Sequence, residues 1–478
     1  MPETRRAFLQ SGAAAALTPY LAGAGAAAAA DRARPNVVLV IIDTLRADYV
    51  SAYGGRAHTP NMDALAARGV RFTRFFPEAM ATVPARRSIL TGRRVWPFRG
   101  WHRYPTLRNT PGWQPIDNPA TTFTSALRRA GYWTGYVTDN PFLGFSPFYE
   151  PFRESFDRFA SIGGILGRVA PVNAVTRAQV NHWLVPELRH PKVEERQRRY
   201  LAAGGYAHDE SRSWGARVFN RAAEFLDGAA TRQPFALVVD TFQPHEPWTP
   251  PHRYIDLYDK HHSGPEASTV RYGRTAGWLS DRRMRPVLHR ARALYAAEVT
   301  MTDHWLGVFL ERLRSLGLEG NTAIALVSDH GLLLGEHGWT GKIASILHPP
   351  LTHVPFILVD PASRRRGVTN DRLAQTHDVG PTLLSLAGVR RPRGMDGSNL
   401  RAGGGRRMAY GGYANWHYAR TDDVAFVSEN RGRGRRLYDL DRDPGERHNI
   451  AHRHPRKIDE LYGAMVRRAG GRPPPIYR

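Results

Sequence analysis

Short apolar runs constrain the fold of this chain more than any other feature of its sequence. Three such runs cover residues 35–42, 235–239 and 322–327, and segments with the apolar spacing of amphipathic helices lie between them. This alternation is typical of a mostly parallel sheet that is covered by helices on both faces. The sequence therefore predicts an α/β fold.

Polar residues follow each of these runs. Asp43 ends the first run, His245 comes shortly after the second, and Asp329 and His330 follow the third. The carboxyl ends of parallel strands border the same crevice, so we expect these four side chains to lie close together. Carboxylate oxygens and an imidazole nitrogen are suitable ligands for a divalent cation. The pattern is compatible with a metal site at this edge of the sheet, with His245 nearby. Taken singly, Asp43 is equally compatible with a helix N-cap, Asp329 and His330 with an ordinary turn, and His245 with a packed loop.

Further elements follow from the spacing of apolar residues. Helical spacing predicts helices over residues 61–69, 121–131 and 291–316, and residues 132–137 form a further predicted strand. Together with the three runs, these elements account for a sheet with helices packed on it.

The chain divides into regions of different composition. We place the main α/β domain at residues 34–403. Within it, residues 144–228 are polar, aromatic and basic with few strand patterns, so we expect an insertion or cap near the site. Three consecutive glycines at 403–405 break the pattern, and we expect a small antiparallel subdomain over residues 404–478.

Composition indicates a folded protein with anionic partners. The chain has 478 residues, of which 42% are hydrophobic, and this is enough for a large core. Its net charge of +24 favours anionic ligands. The sequence contains neither a zinc-finger spacing nor an RNP motif, so we expect no nucleic-acid function.

The first 30 residues resemble an export signal. Arg5 and Arg6 precede an alanine-rich apolar stretch that contains Pro19 and ends in small residues. This arrangement is similar to a twin-arginine signal peptide over residues 1–30. We therefore expect export by the twin-arginine machinery to the periplasm, cell wall or medium. The sequence has no cysteine and no later segment suited to a stable membrane span.

The segment that begins at Thr82 has the clearest functional pattern. It reads Thr-Val-Pro-Ala-Arg over residues 82–86 and continues as Leu-Thr-Gly-Arg at 90–93. Apart from its first residue, it resembles the nucleophile motif of the sulfatase family in the alkaline phosphatase superfamily. There, a Cys or Ser at that position is oxidised to formylglycine. Four more segments match the family in order: 35–43, 244–247 (Pro-His-Glu-Pro), 328–342 (Ser-Asp-His-Gly, then Gly-Glu-His-Gly and Gly-Lys), and 437–449 (from Leu-Tyr-Asp-Leu to Asn).

The resemblance implies a fold and a metal site. The fold would be an alkaline-phosphatase-like sandwich with a mostly parallel central sheet flanked by helices, plus the small C-terminal antiparallel subdomain. One divalent metal would be held by Asp43, Thr82, Asp329 and His330.

The resemblance also implies catalytic roles. Thr82 would be the nucleophile, and Arg86, one helical turn further on, would stabilise its charge. His245 and Lys342 would hold the anionic group of the substrate, where negative charge accumulates. His337 would be the acid that protonates the leaving group.

The chain departs from the family at three positions. Oxidation of Thr82 would give a ketone, so formylglycine is not expected. Thr44 stands where many sulfatases carry a second aspartate, so calcium, manganese, magnesium and zinc all remain candidates. Residues 138–141 read Thr-Asp-Asn-Pro where the family has Gly-Lys-x-His, and we expect Asn140 to bind substrate as a neutral donor.

These features predict a metal-dependent hydrolase of a sulfate ester or a closely related phosphoester, with Thr82 as nucleophile. One alternative is a phosphodiesterase or phosphonate monoester hydrolase, because a threonine ester of phosphorus is more readily hydrolysed by water than one of sulfur. A second alternative is a protein that binds anionic glycans without catalysis. The sequence leaves the oligomeric state open.

Overall fold

The computed structural model describes residues 34–163, 174–204, 209–275, 282, 284–403 and 405–474. The export signal predicted over residues 1–30 lies outside the described residues. Within them, no helix combines the length and apolar character needed to cross a bilayer.

The strands occur throughout the described chain. They are β1 (Asn36–Ile42), β2 (Val70–Phe72), β3 (Phe75–Phe76), β4 (Ala79–Met80), β5 (Trp133–Thr138), β6 (Arg158–Ser161), β7 (Phe235–Thr241), β8 (Gly273–Arg274), β9 (Thr322–Ser328), β10 (Leu333–Leu334), β11 (Trp339–Gly341), β12 (Phe356–Val359), β13 (Val368–Asn370), β14 (Ala374–Gln375), β15 (Ala409–Tyr413), β16 (Trp416–Arg420), β17 (Val424–Glu429) and β18 (Arg436–Asp439).

The α-helices lie between these strands and after the last of them. They are Pro60–Arg68, Thr82–Thr91, Phe123–Arg129, Pro141–Phe145, Glu150–Glu154, Arg177–Trp183, Pro191–Gly204, Trp214–Ala229, His252–Asp259, Met284–Ser315, Pro349–Thr352, Val379–Leu386 and Pro455–Arg468.

A mixed, mostly parallel sheet of eight strands is the centre of the fold, in the order β13-β2-β12-β9-β1-β7-β5-β6. The strands β9, β1, β7, β5 and β6 run parallel, whereas β12 is antiparallel to both of its neighbours. Every residue of β1, β7 and β9 is buried, as expected for strands covered on both faces. The predicted α/β fold is confirmed.

Helices cover both faces of this sheet. Val37, Leu39 and Ile41 pack in one apolar cluster with the helices Thr82–Thr91, Phe123–Arg129 and Val379–Leu386. The alternate residues of β1 pack on the other face with helices that include Trp214–Ala229 and Met284–Ser315. Parts of the segment 144–228, namely β6 and the helix Trp214–Ala229, therefore belong to these layers.

A second sheet closes the chain, in the order β18-β17-β16-β15-β4. Its four C-terminal strands are antiparallel, as the sequence predicts, and the helix Pro455–Arg468 packs on them through Ile458, Leu461 and Met465. The fifth strand, β4, comes from the main domain and pairs parallel with β15. Since β4 ends just before Thr82, the second sheet supports the start of the helix Thr82–Thr91.

Candidate active site

The ends of β1 and β9 bring three predicted metal ligands together. These strands are parallel neighbours with Ile42 opposite Ser328, so Asp43 and Asp329 leave the sheet side by side. One ligand atom each from Asp43, Asp329 and His330 lies within 4.8 Å of the others. All three side chains are fully buried.

The protonation of these residues suits a cation. His330 Nδ1 donates to the carbonyl oxygen of Gly331 at 3.0 Å, which leaves a lone pair on Nε2. Burial lowers the pKa of His330 to about 4, so the ring is neutral. Burial and the neighbouring Asp329 raise the pKa of Asp43, and its buried Oδ2 accepts no hydrogen bond. A divalent cation would ligate that oxygen and offset the repulsion.

Thr44 supports the two carboxylates from the backbone. It has a positive φ of 61°, and its amide donates to Asp329 Oδ1 at 2.9 Å. Its hydroxyl donates to Asp43 Oδ1, and its carbonyl accepts from the Tyr295 hydroxyl at 2.7 Å. In this chain, Thr44 therefore orients ligand oxygens instead of supplying another carboxylate.

Thr82 lies at the first position of the helix Thr82–Thr91, with its hydroxyl oxygen 3.5 Å from His330 Nε2. Arg86 lies one turn further on, and its Nη1 donates to the Thr82 carbonyl at 3.2 Å and to Asp329 Oδ2 at 2.6 Å. The same nitrogen is 3.0 Å from Asp43 Oδ2, although its N–H does not point at that oxygen. The helix thus places the hydroxyl of Thr82, the candidate nucleophile, and the guanidinium of Arg86 beside the three predicted metal ligands.

Asp240 completes the site and was missed by the sequence analysis. Arg86 Nε donates to Asp240 Oδ2 at 2.9 Å and Nη2 donates to Oδ1 at 2.7 Å, while the Tyr136 hydroxyl donates to Oδ2 at 2.8 Å. The signal was available, because an acid within the fully buried strand β7 requires a charged partner. Asp240 positions Arg86.

The charge balance of this cluster favours a divalent cation. Three fully buried carboxylates, Asp43, Asp240 and Asp329, surround one buried guanidinium, Arg86. Buried charge of this kind is costly unless it is compensated. Asp43 Oδ2, which accepts no hydrogen bond, and His330 Nε2, which faces the Thr82 hydroxyl, are where a cation would bind, so the residues present fit the predicted metal.

Lys342 and His245 form a direct pair beside the cluster. Lys342 Nζ donates to His245 Nε2 at 2.7 Å, and His245 Nδ1 donates to the carbonyl of Glu246 at 2.8 Å. Burial lowers the pKa of His245 to about 4 and also lowers that of Lys342. The charge of Asp43 raises the pKa of both groups, and their role in holding the anionic group of the substrate stays a prediction.

Asn140 and Asp139 follow the neighbouring strand β5. The Asn140 side-chain oxygen accepts from the amides of Phe142 and Leu143, while its Nδ2 is buried and has no partner among the described residues. Asp139 Oδ1 accepts from the Phe242 amide at 2.6 Å, and burial raises the pKa of Asp139 to about 8. The predicted donor at Asn140 therefore has a free N–H.

His337 has different surroundings. Its ring stacks on His348 with centroids 3.7 Å apart, and His348 Nδ1 is 2.8 Å from Glu446 Oε2. It lines a cavity with residues such as Arg447, and its described contacts include none of the proposed metal ligands. Its role as leaving-group acid stays a prediction without support from these contacts.

Comparison with known proteins gives consistent matches. The sulfatase family model matches residues 35–389. An arylsulfatase of Clostridium perfringens is 26% identical, and the match covers 92% of this chain and 95% of that protein. A multifunctional alkaline phosphatase superfamily protein of Trinickia caryophylli is 25% identical over 77% of this chain and 76% of its own. The phosphonate monoester hydrolase of Agrobacterium radiobacter superimposes with a TM-score of 0.66 at 21% identity, covering 91% of this chain and 94% of its own.

Proposed function

This chain belongs to the sulfatase family, and we propose that it is a metal-dependent hydrolase of phosphonate monoesters or phosphodiesters with Thr82 as nucleophile. The observation that carries the proposal is the position of the Thr82 hydroxyl, 3.5 Å from His330 Nε2 and at the first residue of the helix that carries Arg86. A hydroxyl there can be ionised and aimed at a bound ester.

The identity of the nucleophile favours phosphorus over sulfur. A formylglycine hydrate releases sulfate when its second hydroxyl collapses, so water never has to attack sulfur. Threonine has only one hydroxyl. In the proposed reaction, the Thr82 oxygen bonds to phosphorus as the leaving oxygen departs and takes up a proton. Water then attacks phosphorus and restores the Thr82 hydroxyl.

The surrounding residues provide charge where the reaction needs it. Lys342 would donate to the oxygens of the phosphoryl group, and the buried Arg86 would stabilise the ionised Thr82 oxygen. Asp43, Asp329 and His330 would hold the divalent metal, which when bound lowers the pKa of a coordinated hydroxyl and neutralises the ester's charge.

The experiment compares matched 4-nitrophenyl sulfate, phosphate, phosphodiester and phosphonate esters with calcium, manganese, magnesium or zinc. We expect the phosphorus esters to be hydrolysed fastest, and Thr82→Ala to lose turnover. Thr82→Val is the matched variant, because it keeps the branched shape of the side chain without the hydroxyl, and it should lose turnover as well. A wild-type rate in Thr82→Ala would overturn the proposal.

A sulfate ester is the second candidate, since the Clostridium perfringens relative is named an arylsulfatase. If wild-type protein hydrolyses the sulfate ester fastest in the same panel, and Thr82→Ala does not hydrolyse it, the substrate is a sulfate ester. Metal binding with no turnover of any ester would instead support a non-catalytic protein that binds anions.

A further inference from the structure

A cavity of about 540 Å³ adjoins the Lys342–His245 pair. Glu246 and Tyr272 line this cavity, and the Tyr272 hydroxyl donates to Glu246 Oε1 at 2.7 Å. Lys342 Nζ lies 5.9 Å from the centre of the Tyr272 ring. Tyr272 and Glu246 therefore belong both to the surroundings of Lys342 and to the lining of this cavity, which we call the basic pocket.

The basic pocket has more cations than its two acids can neutralise. Glu246 is engaged by Tyr272 and lies beside His245, which leaves Glu187 as the other carboxylate in the lining. Among the described residues, none of the pocket's lysine and arginine side chains forms an ion pair. These side chains are Arg108, Arg189, Lys192, Arg196 and Arg271.

Two of these cations act on the candidate active site. Burial lowers the pKa of Lys342, and the charge of Arg108 lowers it further. Arg196 donates to Thr269 Oγ1 at 2.9 Å, so its side chain is held in place. Although burial opposes ionisation of Glu246, His245 and Lys342, and to a lesser extent Arg196, hold its pKa at about 2. The basic pocket and the Lys342–His245 pair thus share one electrostatic environment.

In two other cavities of this basic chain, some of the arginines have ion-pair partners. In one of them, Arg401 pairs with Asp360 at 2.9 Å. In another, Arg46 pairs with Asp48 and Glu336 at 2.7 and 2.9 Å. The five lysine and arginine side chains of the basic pocket, which form no ion pair among the described residues, give it a charge suited to an anionic ligand.

We propose that the basic pocket binds a second anionic group, carried by the leaving group of the substrate while Lys342 and His245 hold the ester that is cleaved. The inference rests on the proposed hydrolysis at Thr82. It assigns the substrate to a class of polyanionic esters, in which the leaving group carries a carboxylate, sulfate or phosphate.

The test compares 4-nitrophenyl esters with esters of the same nitrophenol that carry a carboxylate or a sulfonate at ring position 3. For wild-type protein, we expect kcat/KM to be higher for both charged esters than for the uncharged ester. Comparison of the carboxylate ester with the sulfonate ester shows which kind of anion the pocket prefers. Arg196→Gln should reduce the ratio of charged to uncharged kcat/KM about fivefold, as for loss of one partly exposed ion pair. Added salt should reduce it as well.

Arg199→Gln is the control, because Arg199 is on the same helix, is 64% exposed and pairs with Glu195. It should leave the ratio unchanged. A ratio that is the same in wild type and Arg196→Gln would overturn the inference while leaving the proposed hydrolysis intact.

The basic pocket can also be tested if the proposed hydrolysis does not occur. Binding of sucrose octasulfate, measured by calorimetry, does not require turnover. If no ester is hydrolysed but this polyanion binds wild type more tightly than Arg196→Gln, and binds Arg199→Gln like wild type, the basic pocket stands and the catalytic proposal fails. Equal binding by all three proteins would overturn the basic pocket as an anion site.

Discussion

Asp240→Asn tests whether Asp240 positions Arg86 for the reaction. The substitution keeps the shape of the side chain and removes its charge. Arg86 Nε and Nη2 now donate to Asp240 at 2.9 and 2.7 Å, whereas Nη1 is directed to Asp329 at 2.6 Å. One amide oxygen of the asparagine can still accept from the guanidinium, and the Tyr136 hydroxyl can turn to accept from the new amide.

The size of the effect follows from this partial rescue. Breaking a buried ion pair outright costs about 3–5 kcal/mol, but Asp329 and one hydrogen bond remain. We therefore expect the free energy of unfolding to fall by about 2 kcal/mol, the range of one hydrogen bond to a charged group. A displaced guanidinium should lower kcat by about 100-fold and leave KM nearly unchanged.

The assay is urea unfolding of metal-loaded protein followed by tryptophan fluorescence, together with kcat and KM on the best ester of the panel. Asp227→Asn is the control, because Asp227 also pairs with an arginine, Arg312, but is 49% exposed. It should change stability by less than about 1 kcal/mol. Wild-type stability and kcat in Asp240→Asn would refute the reasoning.

Two further predictions concern the metal and pH. A strong chelator should abolish turnover and lower Tm, because removal of the metal leaves the charges of Asp43, Asp240 and Asp329 compensated by Arg86 alone. Addition of the preferred divalent ion should restore both turnover and Tm. An unchanged Tm would contradict the metal site. Burial raises the pKa of Asp139 to about 8, so the folded protein binds this proton more tightly than the unfolded chain. The contribution of this Asp139 proton to stability should be complete below the pKa that the carboxyl has in the unfolded chain. It should be lost as pH rises to about 8, by at most about 1.4 kcal/mol per pH unit. Unfolding of Asp139→Asn across this range should show a weaker loss, and an identical pH profile would rule out the buried proton.

The sequence was sufficient to predict that the three candidate metal ligands lie together, because the ends of strands are encoded locally. A fully apolar run marks a buried strand, and the parallel arrangement then brings Asp43 beside Asp329 and His330. The predicted turn of helix between Thr82 and Arg86 is likewise a local property.

The other parts of the site could not be predicted, because they depend on contacts between segments that are distant in the sequence. Asp240 was not assigned, because its role appears only when β7 lies near the nucleophile helix. The surroundings of His337 depend on its positive φ of 55° and on stacking against His348, which itself contacts Glu446. Periodicity carries no information on such contacts.

The pairing of β4 with β15 has a consequence for how this protein is made. Ala79 is opposite Gly412, a separation of about 330 residues, so the pairing closes a very long loop of the chain. The strand that precedes Thr82 therefore lacks its partner until residues 409–413 have been synthesised. A chain truncated before residue 409 would retain Thr82 and every proposed metal ligand, yet it would leave the edge of β4 unpaired. Such products should be unable to hold Thr82 in place.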